Sequence, residues 1–210
     1  MAEKFTKSFD LILDDPEVSV VAEVIGGLDP AYTYTKKALE AGKNVVTSNK
    51  ELVARKGTEL LRIAKENGVS YLFEASVGGG IPIIRPMIND LSSNKIRKIS
   101  GILNGTTNYI LTKMQNEGAN FEDVLKQAQD LGYAELNPAA DVEGFDACRK
   151  IAILASLAVG QQVDFEDIYT EGITKITAED VAYAEKLGYS IKLIGHAERI
   201  DGKILAMVSP

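Results

Sequence analysis

The chain contains few of the side chains that metal centres and thiol enzymes use. Its 210 residues include one cysteine, Cys148, one histidine, His196, and no tryptophan. A single cysteine excludes an internal disulfide and is typical of a reducing compartment, so we expect a cytoplasmic protein. A zinc cluster or a Cys–His catalytic pair needs more of these residues than the chain has. Any chemistry must therefore be carried by carboxylates and lysines.

Long apolar runs and an excess of basic residues are also missing. The apolar runs are shorter than the ~20 residues that a membrane helix needs. The opening MAEKFTKSF lacks the apolar core of a signal peptide. The formal net charge is -7, and no basic stripe offsets it. We therefore expect neither a membrane nor a nucleic acid as a partner.

The first half of the chain alternates strands with helices. The overall composition, 45% hydrophobic and 25% charged, is that of a globular protein whose length allows one or two domains. Helices are predicted from Pro30 to Gly42 and over about 50–67, with a short helix before Pro16. Strands are predicted over 19–25, 44–47 and 70–77. This alternation predicts an α/β fold with a parallel sheet and crossover helices.

The carboxyl ends of these three strands are rich in glycine and small polar residues. They comprise Ile25-Gly26-Gly27, Thr47-Ser48-Asn49-Lys50 and the segment from Glu74 to Gly80. Ligands of parallel sheets bind at this edge. The same segments are typical of tight strand-to-helix turns, and the local sequence alone slightly favours that structural interpretation.

The second half of the chain follows a different plan. KIRKISGILNGT (95–106) predicts a strand, and IKLIGHAERI (191–200) with KILAMVS (203–209) predicts a hairpin turning at Asp201-Gly202. Helices are predicted for TNYILTKMQNEG, FEDVLKQAQDLG, the segment starting near Gly144, and ITAEDVAYAEKLG. This pattern indicates an α+β domain that follows the α/β half.

Charged residues open the most apolar helix of this second half. In DVEGFDACRKIAILASLAVG (141–160) they are Asp141, Glu143, Asp146, Arg149 and Lys150. Asp146 and Lys150 are spaced i, i+4 and therefore share a helix face. One interpretation is structural, with Asp146 capping the helix and pairing with Lys150. The other is functional, because a partly desolvated lysine held among carboxylates can act as a general acid/base.

A series of sequence blocks resembles one enzyme family. VVAEVIGG, GKNVVTSNKELVA, FEASVGGGIPII, GILNGTTNYILTKM, LGYAELNP and DVEGFDACRKIAILA, in this order, resemble homoserine dehydrogenase over about residues 9–210. Enzymes of this family use NAD(P)H to interconvert L-aspartate 4-semialdehyde and L-homoserine, on the route to threonine and methionine. The resemblance implies a partial Rossmann-like NAD(P)-binding domain over 1–78. A catalytic, substrate-binding and dimerisation domain would follow over 79–210.

The resemblance implies catalytic and cofactor-binding residues. Lys150, in DACRK, matches the catalytic acid/base that exchanges a proton with the substrate oxygen. Lys50, in TSNKE, matches a lysine between the nicotinamide and the substrate. The other positions expected to contact NAD or NADP are Gly26, Gly27, Thr47 and Ser48.

The resemblance also implies the substrate contacts. Glu135, in GYAE, matches the carboxylate that binds the substrate ammonium, with Asp141 and Asp146 beside it. Thr106 and Tyr133 are further candidates for the substrate pocket. Tyr133 fits a packing role at a helix end equally well.

A cation site and a homodimer are implied as well. Glu74, Val77, Gly79 and Ile81 match a loop that binds a monovalent cation, commonly sodium, largely through carbonyl oxygens. A carboxylate and freely oriented carbonyl groups suit a hard cation. The resemblance also implies that sheets of the second domain meet across a two-fold axis.

The chain departs from the family pattern in two places. Family members begin with a GxGxxG turn that holds the cofactor pyrophosphate, and Gly78-Gly79-Gly80 has the wrong spacing for it. The sequence ends at AMVSP, where family members continue. We therefore expect the central part of the enzyme, which dimerises but by itself binds NADPH poorly and lacks activity.

Two alternatives stay open. One is a related semialdehyde or imino-acid reductase, although a thiol-dependent dehydrogenase is disfavoured because Cys148 lies beside Arg149 in a structural helix. The other is a non-catalytic assembly module that binds no dinucleotide. A direct NADPH titration separates these alternatives.

Overall fold

A computed structural model describes residues 5–210 and shows two compact units. The first unit contains the described residues up to Asn94 together with Gly160–Gln162. The second contains Lys95–Val159 and Val163–Pro210. The contacts therefore divide the chain after Asn94, and the domain assignment expected from the resemblance, with a boundary after residue 78, stays a prediction. No helix in the described range is both long and apolar enough to cross a membrane.

The first unit is built on the predicted parallel sheet. Its strands β1 (Val20–Glu23), β2 (Asn44–Thr47) and β3 (Tyr71–Leu72) lie in the order β1-β2-β3. Helix α1 (Asp10–Asp14) precedes the sheet, and α2 (Ala31–Glu40) and α3 (Lys50–Glu66) form the crossovers. The predicted alternation of strands and helices is thereby confirmed.

Local sequence explains where α3 begins and how it packs. The Asn49 side chain accepts a hydrogen bond from the Leu52 backbone amide at 3.1 Å, which caps the first turn. Leu52, Leu60 and Ile63 recur at helical spacing and are buried. Burial of this apolar face holds α3 in position, and because α3 begins three residues after β2 ends, it also holds the carboxyl end of β2.

The third strand is shorter than predicted. The prediction was a strand over 70–77, but pairing with β2 ends at Leu72, and Glu74–Ser76 forms a 3-10 turn. The Glu74 carboxylate turns inward and accepts backbone amides of residues 83–85, so the chain folds back instead of extending. A π-helical turn at Pro86–Asp90 follows, and the sequence patterns did not indicate it.

The second unit contains a four-stranded mixed sheet in the order β4-β6-β7-β5. Its strands are β4 (Lys98–Gly101), β5 (Tyr169–Thr170), β6 (Ile194–Ile200) and β7 (Lys203–Ser209). The predicted hairpin is confirmed: Asp201 (φ 49°) and Gly202 (φ 81°) both have left-handed backbones, as a two-residue turn requires. The two-residue β5, parallel to β7, was not predicted.

Five α-helices and a 3-10 turn at Phe165–Asp167 complete the second unit. The α-helices are α4 (Gly105–Glu117), α5 (Phe121–Asp130), α6 (Ala139–Val142), α7 (Phe145–Val159) and α8 (Ala178–Lys186). Helix α7 packs against β6 and β7, and its residues Ile151–Ala155 are buried. The strand predicted over 95–106 ends at Gly101, because Asn104 caps α4 from Gly105 onwards.

Candidate active site

The charged side chains at the start of α7 form a defined pair. Lys150 Nζ donates a hydrogen bond to Asp146 Oδ2 at 2.6 Å and another to the Leu103 carbonyl oxygen at 2.9 Å. The Lys150 and Asp146 side chains are 18% and 4% exposed. The predicted shared face is therefore confirmed, and the lysine lies at the junction of α7 with the end of β4.

A second carboxylate joins this pair through an asparagine. Asn104 Nδ2 donates to Asp141 Oδ1 at 2.7 Å and to Asp146 Oδ2 at 2.9 Å. Its Oδ1 accepts the Thr107 backbone amide at 2.8 Å, which caps α4. We call Lys150, Asp146, Asn104 and Asp141 the α7 cluster. It combines one cation with two carboxylates, which is suited to proton exchange and to binding an ammonium.

The backbone before α7 is tightly packed. Gly144 has a left-handed backbone (φ 86°), and a Cβ there would lie 3.1 Å from Thr170 Cγ2. A Cβ at Gly172 would lie 2.1 Å from the Val142 carbonyl oxygen. The link between α6 and α7 is therefore fixed by close contact with the segment around β5, which holds Asp141 and Asp146 in place.

The other predicted substrate contacts lie around the end of α5. Thr106 Oγ1 donates to the Tyr133 carbonyl oxygen at 3.0 Å, and the Tyr133 ring lies edge-on to Tyr109 with centroids 5.2 Å apart. Gln129 Nε2 donates to the Glu135 carbonyl oxygen at 3.0 Å. The Glu135 residue is exposed. Thr106 and Tyr133 are thus brought together, and Glu135 lies on the loop that follows them.

The lone cysteine and histidine lie outside the α7 cluster. Cys148 is buried, and burial raises the pKa of its thiol, so it is a poor nucleophile at neutral pH. His196 lies in β6, as predicted, 3.4 Å from the Glu198 carboxylate. Among residues 5–210, no group of three or more His, Cys, Asp or Glu side chains could hold a metal ion.

A hydrogen-bond network crosses the carboxyl edge of the first unit's sheet. Thr47 Oγ1 donates to Glu23 Oε2 at 2.5 Å, and the Ile25 backbone amide donates to Glu23 Oε1 at 2.6 Å. Asn49 Nδ2 donates to the carbonyl oxygens of Ile25 and Gly27 at 2.9 and 2.7 Å. These bonds fix the turn after β1 relative to the start of α3.

This edge has room for a ligand at its glycines. A Cβ placed on Gly26 or Gly27 would meet no atom within 4 Å, and Gly27 has a left-handed backbone (φ 79°). Ser48 is exposed beside them, whereas Thr47 is buried and donates its hydroxyl to Glu23. Lys50 is the first residue of α3 at the same edge. The groups still open at this edge are therefore the backbone at Gly26 and Gly27 and the Ser48 side chain, whereas the Thr47 hydroxyl already has a partner.

The predicted cation loop is organised by Glu74. Its Oε1 accepts the backbone amides of Ile83 and Ile84 at 2.8 and 2.9 Å, and its Oε2 accepts that of Arg85 at 2.7 Å. Burial alone would raise the pKa of Glu74, but these amide hydrogen bonds and the Arg85 charge outweigh it and lower the pKa. Two carboxylate oxygens offer about four lone-pair sites, so one further ligand bond fits.

Sequence reasoning did not identify Asn104, Leu103 or Glu23. Asn104 and Leu103 lay inside a predicted strand, and Glu23 lay inside a predicted buried strand. Asparagine directly before a helical segment is an N-cap signal, and this signal points to Asn104. A carboxylate inside an apolar strand run is likewise a signal of a buried hydrogen-bonded group.

Two family models match the chain, "Homoserine dehydrogenase" over residues 82–210 and "Homoserine dehydrogenase, NAD binding domain" over residues 1–74. The chain belongs to the homoserine dehydrogenase family. The homoserine dehydrogenase of Bacillus subtilis is 54% identical over 205 residues, which cover 98% of this chain and 47% of that protein. The chain thus spans about half the length of the curated homoserine dehydrogenases that it matches.

Solved homoserine dehydrogenases share the fold. The Thiobacillus denitrificans enzyme superposes with a TM-score of 0.94 at 50% identity, covering 98% of this chain and 48% of that chain. A hyperthermophilic archaeal homoserine dehydrogenase in complex with NADPH superposes with a TM-score of 0.81 at 30% identity, covering 98% and 60%. The Rossmann-like character expected for the parallel sheet is thereby confirmed.

Proposed function

We propose that the chain carries the catalytic site of an NAD(P)-dependent homoserine dehydrogenase, which interconverts L-aspartate 4-semialdehyde and L-homoserine. The single observation that carries this proposal is the Lys150 ammonium, 2.6 Å from Asp146 and 2.9 Å from the Leu103 carbonyl oxygen, at the start of α7. Membership of the family supports it. A lysine so placed can exchange a proton with an oxygen of a bound substrate.

The proposed proton exchange by Lys150 balances in both directions. When homoserine is oxidised, the substrate hydroxyl gives its proton to the amine form of Lys150. At the same time the carbinol carbon loses its hydrogen together with the bonding electron pair, as a hydride. When the aldehyde is reduced, the Lys150 ammonium gives a proton to the carbonyl oxygen. Acceptance or supply of the hydride would be the chemistry that a nicotinamide dinucleotide provides when it is bound. Asp146 holds the ammonium form in place through its hydrogen bond.

The substrate is a zwitterion, and the carboxylates of the second unit are suited to its ammonium. Asp141 and Asp146 converge on the Asn104 amide, and Glu135 is exposed on the loop after α5. A charge-assisted hydrogen bond between a carboxylate and an ammonium contributes about 1.5–3 kcal/mol. We assign these three carboxylates to the substrate ammonium and Thr106 and Tyr133 to the wall of the pocket.

The carboxyl edge of the first unit's sheet is the proposed dinucleotide site. Gly26, Gly27, Thr47 and Ser48 would offer backbone groups, with Lys50 beside the nicotinamide ring. The open space at Gly26 and Gly27 supports this assignment. NADPH is proposed as a cofactor because a neighbour of the same fold is described in complex with it.

A monovalent cation, sodium, is proposed at the Glu74 loop. The donors would be the carbonyl oxygens of Val77, Gly79 and Ile81 with one Glu74 oxygen. Hard oxygen ligands of this kind suit such an ion. In its support, Gly78 and Gly79 have left-handed backbones (φ 81° and 58°) that turn the carbonyl groups of the loop. The site is tested by titrating sodium and recording the backbone NMR shifts of residues 74–83 in the parent chain and in Glu74→Gln. Sodium should change these shifts more in the parent chain. Equal changes in the two proteins would contradict the site.

A homodimer is proposed through the sheet of the second unit. Tyr169 pairs with Met207, and these residues share with Leu205 the face opposite to that of the buried Ala197 and Val208. Tyr169 and Leu205 are 60% and 49% exposed, so this sheet face presents apolar surface of the kind that marks an interface. We propose that a second copy of the chain covers it. Light scattering should give the dimer mass for the chain and the monomer mass for Leu205→Glu. A monomeric parent chain would contradict the proposal.

A hybrid enzyme tests the proposed activity. Residues 1–210 replace the matching 205-residue part of the Bacillus subtilis relative, and homoserine-dependent reduction of NADP+ and NAD+ is recorded by absorbance. We expect turnover with L-homoserine and none with L-serine or L-threonine. A folded hybrid that oxidises another substrate instead would favour a related reductase. A folded hybrid that neither turns over nor binds NADPH would favour an assembly module.

A further inference from the structure

We propose that Asn104 is a positioning residue of the active site, whose amide group fixes the Asp146 carboxylate and thereby sets the direction of the Lys150 ammonium. This inference rests on the proposed function for its chemical meaning. Its geometry stands on the hydrogen bonds of the second unit alone.

Asn104 is buried, and its side chain has a hydrogen-bond partner at every site that an amide offers. Asn104 is 5% exposed. Its two amide N–H groups point to Asp141 Oδ1 and Asp146 Oδ2, at 2.7 and 2.9 Å. Its Oδ1 accepts the Thr107 backbone amide at 2.8 Å and the Thr107 hydroxyl at 2.9 Å. A side chain held at four points has one orientation, so it can impose an orientation on its neighbours.

Capping alone does not require an asparagine at this position. Serine, aspartate and asparagine cap helices about equally well. Only a neutral group with two donors can join two carboxylates, because aspartate would add a third negative charge and serine has one donor. The amide therefore indicates a second task besides the cap, which is to hold Asp141 and Asp146 together.

The hydrogen bond to Asp146 reaches the lysine directly. Asp146 Oδ2 accepts both from Asn104 at 2.9 Å and from Lys150 at 2.6 Å, so the same oxygen is held from two sides. Lys150 Nζ makes its second bond to the Leu103 carbonyl, whose residue precedes Asn104. With two of three ammonium protons directed by these acceptors, the third has a defined direction, and it is the proton left for a substrate oxygen under the proposed function.

A matched pair of substitutions separates positioning from capping. Asn104→Ser keeps a capping oxygen and removes the amide donors. Asn120→Ser makes the same change at the exposed cap of α5, where Asn120 Oδ1 accepts the Asp123 amide at 2.9 Å. If both asparagines only cap their helices, the two substitutions should have the same effect on proton exchange at Lys150. The thermal unfolding midpoint of each variant shows whether it is folded when proton exchange is measured.

The readout is proton exchange of the Lys150 ammonium in the 210-residue chain labelled with 15N-lysine. The Lys150 signal is the one that Lys150→Arg removes. We expect slow exchange with water in the parent chain and in Asn120→Ser. In Asn104→Ser the exchange should be about tenfold faster or more, as for the loss of one charge-assisted hydrogen bond. An unchanged rate in a folded Asn104→Ser would overturn the proposal, as would fast exchange in the parent chain.

A second variant decides the case in which Asn104→Ser does not fold. Asn104→Asp keeps the size and the cap but brings three carboxylates together. We expect its unfolding midpoint to fall below that of Asn120→Asp and to recover at acidic pH, where the carboxylates are protonated. Equal midpoints would show that the amide does not bridge the carboxylates. None of these readouts needs turnover, so an inactive hybrid enzyme would overturn the proposed function and leave this test standing.

Discussion

The Lys150 ammonium lies 2.6 Å from the Asp146 carboxylate, one turn earlier in α7. The two side chains are 18% and 4% exposed, so water screens their interaction far less than it screens a surface pair. Charged groups in such a place are retained only with partners, and here each has at least two. The pair is therefore both a structural element of the helix start and the centre of the proposed chemistry.

Breaking this pair should destabilise the fold strongly. Asp146→Ala leaves the Lys150 ammonium with the Leu103 carbonyl as its remaining acceptor in the described cluster, and we expect a loss of about 3 kcal/mol of unfolding free energy. The control is Glu117→Ala, which breaks the exposed i, i+4 pair with Lys113 in α4 and should leave the unfolding midpoint unchanged. Urea denaturation measures both. Equal effects of the two substitutions would show that the Asp146 pair stabilises the fold no more than a surface pair does.

Glu135→Ala should weaken substrate binding without affecting stability. The residue is exposed, so the fold does not depend on its carboxylate. Loss of one charge-assisted contact with the substrate ammonium should raise KM for homoserine by about tenfold or more. KM for NADP+ in the hybrid enzyme serves as an internal reference and should stay the same. An unchanged KM for homoserine, or an equal rise with Glu122→Ala in α5, would show that Glu135 does not bind the substrate ammonium.

Glu74 should make the first unit sensitive to acid. Backbone amide donors hold its folded-state pKa below the ordinary value of 4.5. Its stabilising contribution is thus fully present above about pH 4.5 and is lost as the pH falls through the lowered folded-state pKa. Glu74→Gln should be less stable than the parent chain at pH 7 and should lose less stability between pH 5 and pH 3. Parallel stability curves for the two proteins would contradict this assignment.

Gly172 should tolerate no side chain. A Cβ there would lie 2.1 Å from the Val142 carbonyl oxygen and 2.4 Å from Glu143 Cα, and backbone atoms cannot move aside as side chains do. We expect Gly172→Ala to lower the unfolding free energy by about 3 kcal/mol. Gly101→Ala is the control, since its Cβ would meet Leu103 Cδ2 at an ordinary 3.7 Å. A stable Gly172→Ala protein would mean that the link before α7 is loosely packed.

Elements with periodic patterns were predictable from sequence, and elements held by single tertiary contacts were not. The period of α7 and the Asp201-Gly202 turn each determine local structure directly. The two-residue β5 has no period of its own and forms because β7 is beside it. The strand predicted through residue 77 stopped at Leu72 because Glu74 bonds to amides nine to eleven residues later.

The candidate site shows the same limit. The i, i+4 spacing predicted that Asp146 and Lys150 share a face, because both lie on one helix. Asn104 contacts Asp146 although the two residues are 42 positions apart in the chain, and no local pattern encodes such a contact. The sequence identified the charged members of the cluster and missed the neutral one, since a neutral amide shows its role only through its partners.

Proton exchange by Lys150 in homoserine oxidation should be visible in a comparison of two lysine variants. The measurement is kcat for homoserine-dependent NADP+ reduction by the hybrid enzyme carrying Lys150→Met or Lys192→Met. Lys192 is a partly buried lysine of the same unit that donates to Thr112 Oγ1 at 2.6 Å. We predict that Lys150→Met lowers kcat by about 10²- to 10⁴-fold, while Lys192→Met leaves it within about twofold of the parent. A folded Lys150→Met enzyme that oxidises homoserine at the rate of the parent would rule out proton exchange by Lys150.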